Sequence, residues 1–268
     1  MLLQGYAALA TAGAGILLTI NLMAQTNLTI GPSPHDAVTV TALAETRETR
    51  TFDKAFNAET NGYRDLHVVI DNHSDRAIVA AVMEWHYTDA KGKTRGIILE
   101  TDTWQRPHSG PNDKAEVVPA HSRTLFGPTA TIPEALVGAS GYAGSSIMPI
   151  QFTPFQGFTN PNFAIDLLVF SDGEMVGPDT KHYSTDFAAR YSAGQRVVTA
   201  WKSGGVPAVQ LLATGLFISP ASADPQKQTE SWITRYANQL GHTQAVYQSA
   251  YINYLANSPK PVALFRTN

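Results

Sequence analysis

The sequence predicts an α+β fold, an antiparallel β-sandwich followed by a helical segment, and three observations predict it. Between Val38 and Gly177 apolar residues alternate in short runs separated by turn residues. After Gly177-Pro178 the apolar spacing lengthens to that of a helix. The chain of 268 residues is 43% hydrophobic and only 15% charged, so both parts have material for a core.

The first element, residues 1–24, lies outside this pattern. No Asp, Glu, Lys or Arg precedes Asp36, and Tyr6 to Ala24 is dominated by Ala, Leu, Ile and Gly. Leu22-Met23-Ala24 is a usable signal cleavage site, although the Lys or Arg of a signal n-region is missing. Residues 5–24 also have the length of a membrane anchor, for which about 20 are needed. A buried helix is the third reading. The first two place the rest of the chain outside the cytosol, so an exported protein is expected, whether periplasmic, extracellular or membrane-anchored.

Residues 25–178 are expected to form the sandwich. Leu66, Val68 and Ile70 share one face of a strand, and Asn72-His73-Ser74-Asp75 makes a polar turn. From Ala77 to Thr88, alternation puts Val79, Ala81, Met83, Trp85 and Tyr87 on one face, with Glu84 and His86 on the other. Asp89-Ala90-Lys91-Gly92-Lys93 reads as a hairpin turn before a strand over 94–100. Pro119-Ala120-His121-Ser122 leads into another strand at Arg123. Strands over 164–170 and 174–176 flank Ser171-Asp172-Gly173, a hairpin signal. Many short strands around a Trp-bearing central one are the pattern of an immunoglobulin-like sandwich, and the lack of cysteine excludes the antibody type.

The order of strand, Asn-x-Ser turn, Trp-bearing strand, Asp-x-x-Gly-Lys hairpin and Pro-x-x-Ser turn resembles the small immunoglobulin-like domains of bacterial exported proteins, including the family called FxLYD. The resemblance spans Leu66 to Phe126. At the motif, this chain reads Trp85-His86-Tyr87-Thr88-Asp89. Asp89 matches and Trp85 replaces the aromatic, while Tyr87 and Thr88 depart from Leu and Tyr. The resemblance implies a binding or structural module and transfers no catalytic residue.

From Ala135 to Ile165 the chain carries no charged residue but repeated Gly and Pro, which argues against a long helix or a central strand. Tyr142, Phe152, Phe155 and Phe158 in this loop are the candidate binding residues, for an envelope protein or a glycan. The same rings would otherwise fold back over the sandwich.

Residues 179–268 read as helical. Ser184 or Asp186 can cap a helix carrying Phe187, Tyr191, Gly194, Val198 and Trp201, and Ser203-Gly204-Gly205 stops it. Pro207 suits the first turn of a shorter helix. Asp224-Pro225 opens the longest helix, 225–257, with Trp232, Tyr236, Leu240, Gln244, Tyr247, Tyr251 and Leu255 along one face and a bend at Gly241-His242. That face packs on the sandwich or on a second copy of the chain.

Composition removes several functions. With 19 Lys and Arg against 22 Asp and Glu, the net charge of -3 gives no footprint for nucleic acid. No cysteine excludes thiol chemistry and thiolate metal sites. No phosphate loop, zinc-protease helix, EF-hand loop or dinucleotide fingerprint is present. Asp172, Glu174 and Asp179 lack calcium-loop spacing. The one candidate metal set is His67, Glu84 and His86, which requires their strands to pair. The expected function is a non-catalytic envelope module without a cofactor. An exported hydrolase, working from the outward sheet face, is the alternative.

Overall fold

The structure is a computed structural model that describes residues 28–43, 66–89, 91–103, 116–128, 159–216 and 224–263. The strands are β1 (Thr29–Ile30), β2 (Val38–Ala42), β3 (Val68–Asn72), β4 (Ile78–Thr88), β5 (Thr94–Asp102), β6 (Ser122–Phe126), β7 (Thr159–Phe170), β8 (Glu174–Val176) and β9 (Val262–Ala263). Between β8 and β9 come three helices: α1 (Tyr183–Ala213), α2 (Pro225–His242) and α3 (Ala245–Asn257). The class is α+β, as the periodicities predict.

The strands form two sheets. The smaller has the order β2-β3-β6 and the larger β5-β4-β7-β8-β9, with β1 lying parallel to the start of β7. One apolar core joins them, with Leu66, Val68, Ile70 and Phe126 from the small sheet meeting Met83, Trp85, Phe163 and Phe170 from the large one. Trp85 is buried at its centre. Its Nε1 donates to the Leu66 carbonyl at 2.7 Å, and its ring meets Phe163 edge-on at 4.9 Å between centroids.

The predicted turns form by the expected chemistry. Asp89 Oδ1 accepts the Lys91 and Lys93 amides at 2.9 and 3.0 Å, and Asn72 Oδ1 accepts the Ser74 amide at 3.1 Å. Two departures in the strands matter more. A register shift between Ile78 and Ala80 turns Val79 away from Ala81, Met83 and Trp85, so Val79 joins Ala80 and Val82 on the opposite face. A bulge inserts one residue and breaks strict alternation. The second departure concerns the uncharged loop, whose residues 159–165 belong to β7 in the middle of the large sheet. Pro161 is tolerated there because it falls in the register shift between His86 and Thr88, where no ladder bond needs its missing N–H.

The far face of the large sheet is largely covered, with His86 and Ile98 left partly exposed. Val79, Ala80, Val82, Leu167, Val169 and Met175 form a second core with Phe187 and Tyr183 of α1. The outward polar face expected from the alternation is therefore an interior, and the molecule has three layers: small sheet, large sheet and helices. Gly177 makes the exit from β8 toward the helices. Its φ of 139° and the Asp166 carbonyl oxygen, 2.3 Å from where a Cβ would stand, leave room for glycine alone.

The helical layer has its own core. Trp232, Ile233, Tyr236 and Leu240 of α2 and Tyr251 and Leu255 of α3 pack with Ala193 and Val197 of α1. Asp224 caps α2 by accepting the Gln226 amide at 2.9 Å, with Pro225 in its first turn, as predicted. α1 starts at Tyr183 instead of after Ser184 or Asp186, and breaks at Gly204 and Gly205 just ahead of Pro207. The expected single helix 225–257 is two helices, parted at Thr243 and Gln244 next to the anticipated bend. The break takes Tyr247 out of the aromatic stripe and leaves it 41% exposed, while Trp232, Tyr236, Tyr251 and Leu255 are buried within the chain.

Candidate functional site

The densest polar cluster lies where α1 crosses the large sheet. Glu100 and Asp102 are two residues apart on β5 and share a face. Their partners across β4 are Val82 and Ala80, both turned toward α1. On α1, Asp186 and Arg190 are one helical turn apart and share its sheet-facing side.

Arg190, only 2% exposed, joins these elements. Its Nε donates to Asp186 at 2.7 Å, Nη1 donates to Asp102 and Nη2 to Glu100. The guanidinium lies 4.3 Å from the Trp232 ring centroid of α2 and 5.0 Å from that of Phe187. Trp232 Nε1 closes the cluster by donating to Asp186 at 2.7 Å. One side chain thus fastens β5, α1 and α2 together.

Three carboxylates meet this one guanidinium. Burial raises the Glu100 pKa above its ordinary value; Arg190 opposes the rise, and Asp102 and Asp186 add to it. Burial pulls the Arg190 pKa down, but Asp102, Glu100 and Asp186 outweigh it and hold the guanidinium protonated. Burial also raises the phenol of Tyr236 well above its usual value.

Beside the clasp lies a second acidic group. Glu84 Oε2 stands 2.8 Å from His86 Nε2, confirming that period-two spacing brings the two together. Asp166 is the unpaired residue of a bulge, since Met83 pairs with Ile165 and Val82 with Leu167. Its Oδ1 accepts the Thr180 amide at 2.8 Å. The second oxygens of both acids, Glu84 Oε1 and Asp166 Oδ2, are buried without a hydrogen-bond partner. Tyr183 borders this group, and its phenol pKa is raised by burial and then by the charges of Glu100 and Glu84.

The candidate metal set is not assembled. His67 leads into β3 of the small sheet, whereas Glu84 and His86 belong to β4 of the large sheet and face the helices. The His67 imidazole is buried against Gly127, where a Cβ would stand 2.1 Å from Nε2. Among the described residues no group of three or more His, Asp or Glu is placed to hold a metal ion. Asp172 and Glu174 both take the Arg76 guanidinium, and Asp179 holds the Ser184 hydroxyl at the start of α1. Tyr142, Phe152, Phe155 and Phe158, like residues 1–24, lie outside the described residues.

The sequence reading did not single out Glu100, Asp102, Asp166 or Arg190. Two weak signals were there: the Asp186-Arg190 pair at helical spacing and the Glu100-Asp102 pair at strand spacing. Chemically, the Arg190 cluster fixes charge in place and joins layers. The Glu84–His86 pair is different, because the His86 side chain is 37% exposed.

Comparison with protein-family models, with curated proteins and with solved structures finds no match.

Proposed function

We propose that the chain is an exported, non-catalytic immunoglobulin-like module that binds a partner or holds structure in the cell envelope. The observation that carries this reading is the strand order. Lettered along the chain as A, B, C, C′, E, F and G, strands β2 to β8 give A-B-E in one sheet and C′-C-F-G in the other. Those are the neighbours of an immunoglobulin-type sandwich, an architecture many cell-surface domains share. Trp85 falls on strand C, where such domains carry a buried Trp. Phe163, packed on it, falls on strand F, which in antibody domains supplies a disulfide cysteine.

From this architecture to a binding role the step is one of analogy. It agrees with the FxLYD-like order of motifs between Leu66 and Phe126 and with the apolar residues 5–24 as signal or anchor. The Arg190 cluster serves to join layers, which suits a module better than a catalyst. Tyr142, Phe152, Phe155 and Phe158 are proposed to meet the partner, an envelope protein or a glycan. Self-association is assigned a minor role, because most of the stripe on α2 and α3 that would carry it packs against α1.

A second reading, an exported hydrolase, rests on the Glu84–His86 pair. Metal analysis of the native protein separates the two. The module reading predicts no stoichiometric metal and no hydrolytic activity that His86→Ala removes. Metal at one per chain, or a hydrolysis lost in His86→Ala, would replace it with the hydrolase.

A further inference from the structure

We propose that β5 is a docking edge for a second copy of this chain, whose own β5 pairs with it antiparallel about a two-fold axis and joins the two large sheets into one. β5 ends the strand order of the large sheet, so among the described residues no strand lies beyond it. It is also the longest edge strand among them, with nine residues against five in β2 and β6 and two in β9. Exposed main-chain groups on such an edge are a template for another strand.

The ladder with β4 decides which backbone groups face outward. At its two ends the Asp89 amide donates to the Lys93 carbonyl and the Thr103 amide to the Val79 carbonyl, both at 2.9 Å. The register between them is unbroken, from Ala80 opposite Asp102 to Thr88 opposite Thr94. Bonding toward one neighbour alternates along an antiparallel strand, so the odd-numbered residues of β5 bond to β4 and the even-numbered ones turn N–H and C=O to the edge. Thr94, Gly96 and Ile98 are the outward residues in the exposed half of the strand. Gly96 is the most telling of them, because without a side chain its exposure is exposure of the backbone itself. A glycine inside a strand often marks the close approach of another backbone. The usual guards are missing as well: β5 has no Pro and no bulge against β4, and Arg95 is turned back onto Asp89 of its own hairpin at 2.9 Å.

Charge selects the occupant. A second copy meets this edge with Thr94, Gly96 and Ile98, none of them charged, so no like charges face each other there, whereas copies with a net charge of -3 repel over the rest of their surfaces. Antiparallel pairing centred on Gly96 sets Gly96 against Gly96 and Thr94 against Ile98. The outward groups of all three are then satisfied by about six main-chain hydrogen bonds. Ile98, 39% exposed in the single chain, is covered by Thr94 of the second copy. The far end of β5 takes no part, because Glu100 and Asp102 are held by Arg190. This contact is separate from the aromatic stripe of α2 and α3, most of which packs against α1, and it stands whether or not the chain is exported.

Residue-resolved amide exchange on the full chain, followed from about 10 μM to 1 mM beside sedimentation equilibrium, tests the pairing. The expected result is a monomer–dimer equilibrium in which the Thr94, Gly96 and Ile98 amides exchange more slowly as the concentration rises. The Ile97 and Leu99 amides, bonded to β4, stay slow throughout. Ile98→Pro and Thr94→Pro each remove an outward N–H and no bond to β4, so each is expected to weaken the dimer by roughly tenfold or more while the sheet stays folded. Edge amides that exchange fast at every concentration mean that no second copy pairs there. Edge amides already slow in the monomer mean that another part of the chain covers the edge. Either result overturns the proposal, as does a dimer unchanged in both proline variants or in the one that folds.

Discussion

Arg190→Met is expected to destabilise the fold by about 3–5 kcal/mol, the usual cost of removing one partner from a buried ion pair. For a chain of this size that is a fall in Tm of roughly 6–20 °C. The loss does not come from the contact area of Arg190, since Met fills much of the same space. It comes from leaving Asp102, Glu100 and Asp186 facing one another without their guanidinium. Arg190→Lys keeps a charge but cannot span β5 and α1 at once, so it should recover only part of the loss. Combining Arg190→Met with Glu100→Gln and Asp102→Asn should cost less than the single change, because the stranded charges go with it. Urea denaturation of the three variants checks the set. A single variant within about 1 kcal/mol of wild type would mean that the clasp is only a surface-grade pair.

Trp85→Ala is the second large effect, with an expected loss of about 3–5 kcal/mol from the cavity it leaves. The side chain is 1% exposed, stands between both sheets and donates to the Leu66 carbonyl. Trp85→Phe separates these roles: it restores much of the packing but leaves the buried carbonyl without its donor, a residual cost of about 1–3 kcal/mol. If Trp85→Phe were as damaging as Trp85→Ala, the hydrogen bond rather than the packing would hold strand β4 to the small sheet. Equilibrium unfolding with an unchanged m value is the measurement, since a changed slope would report on the unfolded chain instead.

Much of the fold was legible because it is written in local chemistry. Asp89 and Asn72 close their turns on backbone amides a few residues away, Asp224-Pro225 starts a helix, and Gly204-Gly205 breaks one. Each depends on neighbours in sequence. Trp85 as a buried residue of the central strand β4 was legible too, from alternation alone.

What escaped depends on residues far apart. Bulges at Val79 and Asp166 arise from how β4 meets β7, and no property of either strand alone locates them. Residues 159–165 join a central strand despite Pro161, because the register shift falls where the proline needs it. The charged contact between α1 and the large sheet was the largest omission. Glu84, Glu100 and Asp102 read as an ordinary polar sheet face until α1 is laid over them, and Arg190 reads as half of a helical surface pair. Arg190 lies 88 residues from Asp102 and 90 from Glu100, so only tertiary packing reveals the clasp. The metal set failed for a related reason: His67 precedes β3 of the small sheet, whereas Glu84 lies on β4 of the large one.

The most direct test of the proposed role is the intact mass of the native protein, recovered by fractionating cells that naturally make it. The account predicts a chain beginning at Gln25 in the exported fraction, or an intact chain in the membrane fraction held by residues 5–24. A full-length chain beginning at Met1, free in the cytosol, would contradict it.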